Sequence, residues 1–165
     1  MGIEIERKFL VKNDSWRKLA RDKGVPIRQG YLTVAQRATV RVRRIGDEAR
    51  ITIKGKVTGL RRSEFEYPVP VADADQMLDQ LCRKPIIDKV RYHIPAGGLV
   101  WEIDDFFGEN AGLVVAEIEL KSETDKFETP PWLGREVTGM KRFYNSSLTQ
   151  LPYAKWPAED RFLNG

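Results

Sequence analysis

The feature that most constrains the fold of this chain is a repeated alternation of charged and apolar side chains in short segments. Arg41 and Arg43, for example, alternate with Val40 and Val42. Because successive side chains of a β-strand point to opposite faces, such a segment predicts a strand with one charged face and one apolar face. Eight segments of the 165 residues are predicted as strands: Ile3–Val11, Pro26–Val34, Thr39–Ile45, Ala49–Lys56, Leu60–Val69, Ile86–Ile94, Leu99–Phe107 and Val114–Lys121.

Glycine-rich turns separate most of these segments. Gly46-Asp47 and Ala96-Gly97-Gly98 are two such turns, and links this short suit antiparallel neighbours rather than the helical crossovers of parallel strands. Eight strands with few free edges favour a closed or nearly closed barrel. The predicted fold class is therefore mainly β (α+β), an eight-stranded antiparallel β-barrel in one domain over residues 1–165.

Helical patterns are few. One helix is predicted from Asp14 toward Arg21, a second over Asp73–Cys82, and a short third over Tyr144–Leu151. Surface helices need an apolar surface to cover, and the apolar stripes of the strands supply it. If the helices pack outside the barrel, the charged stripes point inward.

The signs of these charges segregate by strand. Acidic pairs occur on the first, seventh and eighth predicted strands, and basic pairs on the third, fourth and sixth. For any single strand, a polar face in water is the simpler interpretation. A face that only confers solubility normally intersperses both signs, however, since neighbouring like charges repel. The complete set therefore favours an enclosed bore that holds ions, because buried charges must be paired or bind ions.

The residue types of this bore indicate its ligands. Carboxylates without histidine or cysteine partners favour hard cations such as Mg²⁺ or Mn²⁺. The chain has one histidine, His93, which we expect to be structural or on the surface, and one cysteine, Cys82, which we expect in the core. Lysine and arginine side chains across the bore would hold phosphate oxygens. The residues thus predict a tunnel for a metal-bound polyphosphate.

Other classes of protein fit the composition less well. The 28 basic and 24 acidic residues nearly cancel to a net charge of +4, and no zinc-finger spacing or RNA-binding signature occurs, so no nucleic-acid partner is expected. No apolar run approaches the roughly 18 residues needed to cross a bilayer, so no membrane partner is expected. A single cysteine fits the reducing cytoplasm, which is the predicted location.

The stretch Glu4-Ile5-Glu6-Arg7-Lys8 resembles the E-x-E-x-K signature of the CYTH superfamily, also called triphosphate tunnel metalloenzymes. The signature alone is short, but further motifs follow in the order of that family and cover nearly the whole chain. They are Gln29-Gly30-Tyr31-Leu32, Val40-Arg41-Val42-Arg43, Ile51-Thr52-Ile53-Lys54-Gly55, Arg62 with Glu64 and Glu66, Lys89-Val90-Arg91-Tyr92, Glu102-Ile103-Asp104-Asp105-Phe106 and Glu117-Ile118-Glu119-Leu120. Together they make the chain similar to short bacterial inorganic tripolyphosphatases.

The resemblance implies roles for individual residues. The metal ligands that it implies, for Mg²⁺ or Mn²⁺ with two ions per site, are Glu4, Glu6, Asp104, Glu117 and Glu119. The substrate-binding cations that it implies are Lys8, Arg41, Arg43, Lys54 and Arg91, with Arg62 and Lys89 as additions. It gives catalytic roles to Lys8 and Tyr31. The segment around Lys141 resembles a C-terminal helix that plugs one tunnel mouth.

The function implied first is hydrolysis of inorganic tripolyphosphate to pyrophosphate and phosphate. A class IV adenylate cyclase or a nucleoside or thiamine triphosphatase is the alternative in the same tunnel, although Thr39 stands where thiamine triphosphatases place an aromatic residue. A non-catalytic polyphosphate or nucleotide sensor is the alternative of another class, and the acidic residues disfavour it. Glu64 and Glu66 have two interpretations, direct function or orientation of a tunnel arginine. A homodimer is compatible with the sequence.

Overall fold

The chain folds around an antiparallel sheet that closes on itself. The computed structural model describes residues 2–161, with side chains from residue 4 onward. Its strands in that range are β1 (Gly2–Val11), β2 (Val25–Val34), β3 (Ala38–Ile45), β4 (Glu48–Gly55), β5 (Arg61–Pro68), β6 (Ile87–Ala96), β7 (Leu99–Phe106), β8 (Val114–Glu119) and β9 (Leu133–Glu136). Their order is β5-β4-β3-β2-β6-β7-β8-β1, and pairing of β1 with β5 joins the two ends. The predicted eight-stranded antiparallel barrel is confirmed, and each predicted strand lies within two residues of its expected bounds.

The sequence did not predict β9. This strand lies beside the second half of β1, with Phe9 opposite Glu136, whereas the first half of β1 pairs with β5. A Cβ atom at Gly134 would lie 2.9 Å from the carbonyl oxygen of Leu10, so glycine permits the close approach of the two strands. Four residues after a proline-rich bend are too few to show a period-two pattern.

The apolar stripes face outward and are covered by short segments, as predicted. A 3₁₀ helix (Asp14–Leu19) stands where a helix toward Arg21 was expected, and its Trp16 is fully buried in the outer cluster. Trp101 and Trp132 belong to the same cluster and meet edge to face, with ring centroids 5.5 Å apart. Such aromatic pairs add about 0.5–1.5 kcal/mol to the effect of burial. This cluster stabilises the outside of β1, β7 and β8.

A helical segment covers the outside of β2, β3 and β4. It consists of α1 (Val71–Gln76) and a wider π-helical turn (Met77–Leu81), so the predicted helix begins two residues earlier than expected and changes geometry midway. The buried thiol of Cys82 belongs to this second apolar cluster, as predicted. A Cβ atom at Gly30 would lie 2.7 Å from the Cys82 Cβ, and a glycine in β2 is therefore required for this packing.

The inward face of the barrel becomes apolar toward one end. The inward-facing residues at that end are Leu10, Ile87, Phe106 and Val115, each at most 1% exposed. They pack against Phe143 and Leu148, which belong to a 3₁₀ helix (Lys141–Phe143) and to α2 (Asn145–Leu148). We call residues 141–148 the C-terminal plug. It closes one end of the bore, with a shorter helix than the predicted Tyr144–Leu151.

The remaining helical segments of residues 2–161 are short. They are the 3₁₀ turns Gly108–Asn110 and Tyr153–Lys155, and α3 (Ala158–Arg161). Trp156 packs edge to face on Phe143, with ring centroids 5.2 Å apart, and so supports the plug from behind. Within residues 2–161, no helix has both the length and the apolar character needed to span a bilayer.

Candidate functional site

The bore brings the predicted site residues together from eight strands. They are Glu4, Glu6 and Lys8 of β1, Tyr31 of β2, Arg41 and Arg43 of β3, Lys54 of β4, Arg62 of β5, Lys89 and Arg91 of β6, Asp104 of β7, and Glu117 and Glu119 of β8. The cross-strand register sets their neighbours: Glu6 lies opposite Glu119. Likewise, Arg91 lies opposite Asp104. Residues that are distant in sequence thus share one wall.

Exposure rises along the bore from the plug toward the other mouth. On β6, Lys89 is 3% exposed, while the side chains of Arg91 and His93 are 12% and 40% exposed. On β8, Glu117 is buried and Glu119 is exposed. The bore is therefore a pocket that a ligand enters from the mouth opposite the plug. His93 lies at this mouth, consistent with the surface position expected for it.

Asp104 anchors the deep part of the pocket. It is completely buried, and its two carboxylate oxygens accept hydrogen bonds from Lys89 Nζ at 2.6 Å and from Arg91 Nε and Nη2 at 2.7 and 2.8 Å. Burial alone would raise the pKa of Asp104, but the two cations outweigh it and lower that pKa. Asp104 thus fixes two cations side by side, and Arg91 also pairs with Glu102 at 2.5 Å.

Glu4 organises the basic residues of β4 and β5. Its carboxylate lies 2.6 Å from Arg62 Nε and 3.2 Å from Lys54 Nζ. The Lys54 ammonium also lies 3.1 Å from Glu64 Oε2. Of its two interpretations, Glu64 therefore fits the orientation of a basic side chain.

Glu66 and Thr52 hold the two arginines of β3. Thr52 Oγ1 accepts a hydrogen bond from Arg41 Nη2 at 3.2 Å and donates one to Glu66 Oε2 at 2.9 Å. The same Glu66 oxygen accepts from Arg43 Nη2 at 3.4 Å, and the other accepts from Arg50 Nη1 at 3.0 Å. Glu66 thus also matches the orienting interpretation. Sequence analysis assigned no role to Thr52, although Thr52 is two residues from Lys54 on β4 and therefore lies on the same inward face.

Burial lowers the pKa values of three basic side chains of the pocket, and neighbouring cations act in the same direction. Burial, with the charges of Arg41 and Arg91, lowers the pKa of Arg43 to about 10. Burial also lowers the pKa of Lys89 to about 8, and the charge of Arg91 acts in the same direction. The pKa of Lys54 falls through burial and the charge of Arg41. A bound anion would stabilise the charged forms of these three side chains.

The acidic side chains near the mouth show the opposite imbalance. Burial and the neighbouring Glu117 carboxylate raise the pKa of Glu6 to about 8, although Lys8 opposes the shift. Burial, with the charge of Glu4 next in size, raises the pKa of Glu119. A bound cation would relieve this repulsion, just as a bound anion would relieve that of the arginines.

Lys8 and Tyr31, the predicted catalytic residues, lie deep in the pocket. Lys8 Nζ lies 3.0 Å from Glu117 Oε1. Burial opposes its charge, but Glu117 and Glu6 outweigh burial and raise the pKa of Lys8, so the ammonium stays charged. Burial raises the pKa of Tyr31, whose hydroxyl lies 3.5 Å from Gln29 Nε2. Tyr31 is therefore a neutral hydroxyl that can donate a hydrogen bond.

The five predicted metal ligands differ in the ion pairs that they already form with lysine and arginine. In residues 4–161, no three acidic, histidine or cysteine side chains converge as a metal site, because lysine and arginine hold several of the carboxylates. Glu119 makes no ion pair with the described residues, and Glu6 has a 3.5 Å contact with Arg62. Their raised pKa values and oxygen donors fit a hard divalent cation. A metal ion would bind Glu4, Glu117 or Asp104 only after that carboxylate released its lysine or arginine partner.

Two polar residues near the plug were missed by sequence analysis. Gln29 is fully buried and donates through Nε2 to Asn145 Oδ1 at 3.0 Å. Gln29 precedes Tyr31 by two residues on an inward face, and this alternation could have identified it. Asn145 had no such signal, because its position depends on how the plug enters the barrel. Lys141, at the start of the plug, is exposed.

Comparison with known proteins identifies relatives over nearly the full length. A family model described as the CYTH domain matches residues 2–151. A protein of Acetivibrio thermocellus named inorganic triphosphatase is 50% identical over 153 residues, which cover 93% of this chain and 97% of the relative. A Nitrosomonas europaea protein of the same name is 39% identical over 150 residues, covering 88% and 95%. A crystal structure of an inorganic triphosphatase is 34% identical with a TM-score of 0.62, covering 88% and 97%.

Proposed function

This chain belongs to the CYTH domain family, and we propose that it is a triphosphatase that hydrolyses inorganic tripolyphosphate to pyrophosphate and phosphate. The names of two relatives with close to full coverage support this activity. The observation that carries the proposal is that buried cations and carboxylates from different strands line one pocket. Arg43 and Lys89 have lowered pKa values, and Glu6 and Glu119 raised ones. A metal-bound polyphosphate satisfies both sides at once.

The basic residues bind and orient the phosphate chain. Arg41, Arg43 and Lys54 converge from adjacent strands, and their guanidinium and ammonium groups suit equatorial phosphate oxygens. In the reaction, water attacks a terminal phosphorus, the bond to the bridging oxygen breaks, and pyrophosphate leaves with the electron pair. Charge that spreads onto the oxygens in this transfer is stabilised by the fixed cations.

Lys8 and Tyr31 act on the leaving group in this proposal. The Lys8 ammonium remains charged and neutralises the bridging oxygen as negative charge develops there. The neutral hydroxyl of Tyr31 donates a hydrogen bond to a phosphate oxygen. Both side chains are held deep in the pocket, where water is excluded and electrostatic interactions are stronger.

Metal dependence is general for the CYTH family. Glu6 and Glu119 are the residues that would hold Mg²⁺ or Mn²⁺ first, with Glu4, Glu117 and Asp104 as further ligands of two ions. A divalent cation supplies charge neutralisation of phosphate oxygens and acidification of a bound water. The carboxylates of Glu6 and Glu119 would hold the cation near the exposed mouth, from which the basic wall leads inward.

The test is phosphate and pyrophosphate release from tripolyphosphate, ATP and thiamine triphosphate, with Mg²⁺, with Mn²⁺ and with a chelator. We expect tripolyphosphate to be preferred and the chelator to abolish release. Glu119→Gln should lose the activity while its melting temperature is retained. Glu136→Gln is the matched control, since Glu136 pairs with Arg7 outside the barrel. Cyclic AMP formation from ATP would instead indicate a cyclase, and binding without turnover a sensor.

Several expectations stay predictions. One is a single domain that includes residues 1 and 162–165, which lie outside the described residues. The others are the cytoplasmic location and the lack of nucleic-acid and membrane partners. The homodimer compatible with the sequence is likewise open to measurement by light scattering.

A further inference from the structure

The C-terminal plug contacts the charged part of the pocket as well as its apolar end. Asn145 Oδ1 accepts hydrogen bonds from Lys89 Nζ and from Gln29 Nε2, each at 3.0 Å. The carbonyl oxygen of Phe143 accepts a hydrogen bond from Lys8 Nζ at 3.3 Å. Two uncharged oxygen atoms of the plug therefore hold the two most deeply buried lysines of the pocket, which are 3% and 6% exposed.

These contacts determine where the lysine N–H groups point. A lysine ammonium has three N–H donors on a flexible four-carbon side chain, and its acceptors set its direction. Among the side chains of residues 4–161, Lys89 donates to Asp104 at 2.6 Å and to Asn145 at 3.0 Å. One N–H of Lys89 then remains for a ligand. Without Asn145, the ammonium could rotate about its single remaining carboxylate partner.

The neutrality of the Asn145 acceptor also matters. Asp104 pairs with both Lys89 and Arg91, and Arg91 also pairs with Glu102 at 2.5 Å. A carboxylate at position 145 would add a negative charge next to Lys89 and would repel a phosphate there. An amide oxygen holds Lys89 without reducing the positive charge available to phosphate.

We propose that Asn145 is a positioning residue, which orients Lys89 toward the phosphate chain through a neutral oxygen. The plug is thereby part of the phosphate-binding wall and not only a seal. This inference rests on the proposed function to the extent that Lys89 binds a phosphate of the substrate. Gln29 supports the arrangement from the other side, since its buried amide also donates to Asn145 Oδ1.

A double-mutant cycle tests the coupling between Asn145 and Lys89. The proteins are the wild type, Asn145→Leu, Lys89→Met and the double variant, with Ser147→Ala as a control in the same helix. Tripolyphosphate affinity is measured by calorimetry with a chelator present, and kcat and KM are measured with Mg²⁺. We expect Asn145→Leu to weaken binding about tenfold, equivalent to about 1.4 kcal/mol. In the Lys89→Met background the same change should cost nothing further, and Ser147→Ala should match the wild type.

A second variant guards against misfolding. Asn145→Asp keeps an oxygen acceptor, so its melting temperature should match the wild type, but its charge should weaken tripolyphosphate binding by at least about tenfold. An equal loss from Asn145→Leu with and without Lys89, or wild-type affinity in both Asn145 variants, would overturn the inference. A wild type that binds tripolyphosphate without releasing phosphate would refute the proposed hydrolysis, yet the cycle would still test Asn145 by affinity. A wild type that neither binds tripolyphosphate with the chelator nor hydrolyses it with Mg²⁺ overturns both.

Discussion

Asp104→Asn is expected to destabilise the protein strongly when no anion is bound. The carboxylate is fully buried and pairs with two cations, Lys89 and Arg91, over 2.6–2.8 Å. Removal of one partner from a buried ion pair costs about 3–5 kcal/mol, because an uncompensated charge remains. Asparagine keeps one acceptor oxygen, so the lower end of that range, about 3 kcal/mol, applies here. For a chain of this size, that loss lowers the melting temperature by about 6–12 °C.

The assay is thermal unfolding with a chelator, followed by circular dichroism. Asp105→Asn is the matched control, because Asp105 is the next residue and its pair with Arg17 at 2.8 Å is partly exposed. Exposed ion pairs contribute about 0–1 kcal/mol, so this control should shift the melting temperature by less than about 4 °C.

Tripolyphosphate should rescue the Asp104→Asn protein. A ligand that binds only the folded state stabilises it by about 2.7 kcal/mol at one hundred times its dissociation constant. In this variant Lys89 has lost its carboxylate partner and can pair with phosphate oxygens, so the melting temperature should rise more than in the wild type. Two results would refute the view of Asp104 as the anchor of the basic wall. One is a melting-temperature shift no larger than that of Asp105→Asn. The other is a stabilisation by tripolyphosphate no greater than in the wild type.

Three further outcomes are expected. The folded-state pKa of Glu6 is raised to about 8. The metal-free protein should therefore lose stability as pH rises from about 4.5 to 8. Urea denaturation at several pH values measures this loss, and Glu6→Gln should remove it. Glu66→Gln should raise KM for tripolyphosphate about tenfold, because it removes a charged hydrogen-bond partner of Arg43 worth about 1.5 kcal/mol; an unchanged KM would contradict this. Gly30→Ala should reduce the free energy of unfolding by about 1–3 kcal/mol, since its Cβ would overlap that of Cys82, and an equally stable variant would disprove the packing argument.

Local patterns in the sequence were sufficient to predict the strands and the inward direction of their charges. Alternation along a strand is a local property with a period of two residues, so Arg41 and Arg43 identify their face without knowledge of their neighbours. The antiparallel arrangement followed from turns such as Gly46-Asp47. The E-x-E-x-K signature and the motifs after it added the family, which the match over residues 2–151 confirms.

The tertiary structure alone decided which charges meet. The metal role that the resemblance implies for Asp104 stays a prediction, and only the structure shows that Arg91 lies opposite it and that Lys89 also pairs with it. The same holds for Glu66, whose partners Arg43 and Arg50 lie 23 and 16 residues away. The strand β9 and the contact of Asn145 with Lys89 were equally unpredictable. Alternation of residue types along a strand assigns a side chain to one face of that strand. Its partner on that face depends on strand register and on how the plug packs. Register and plug packing are set by contacts between distant parts of the chain.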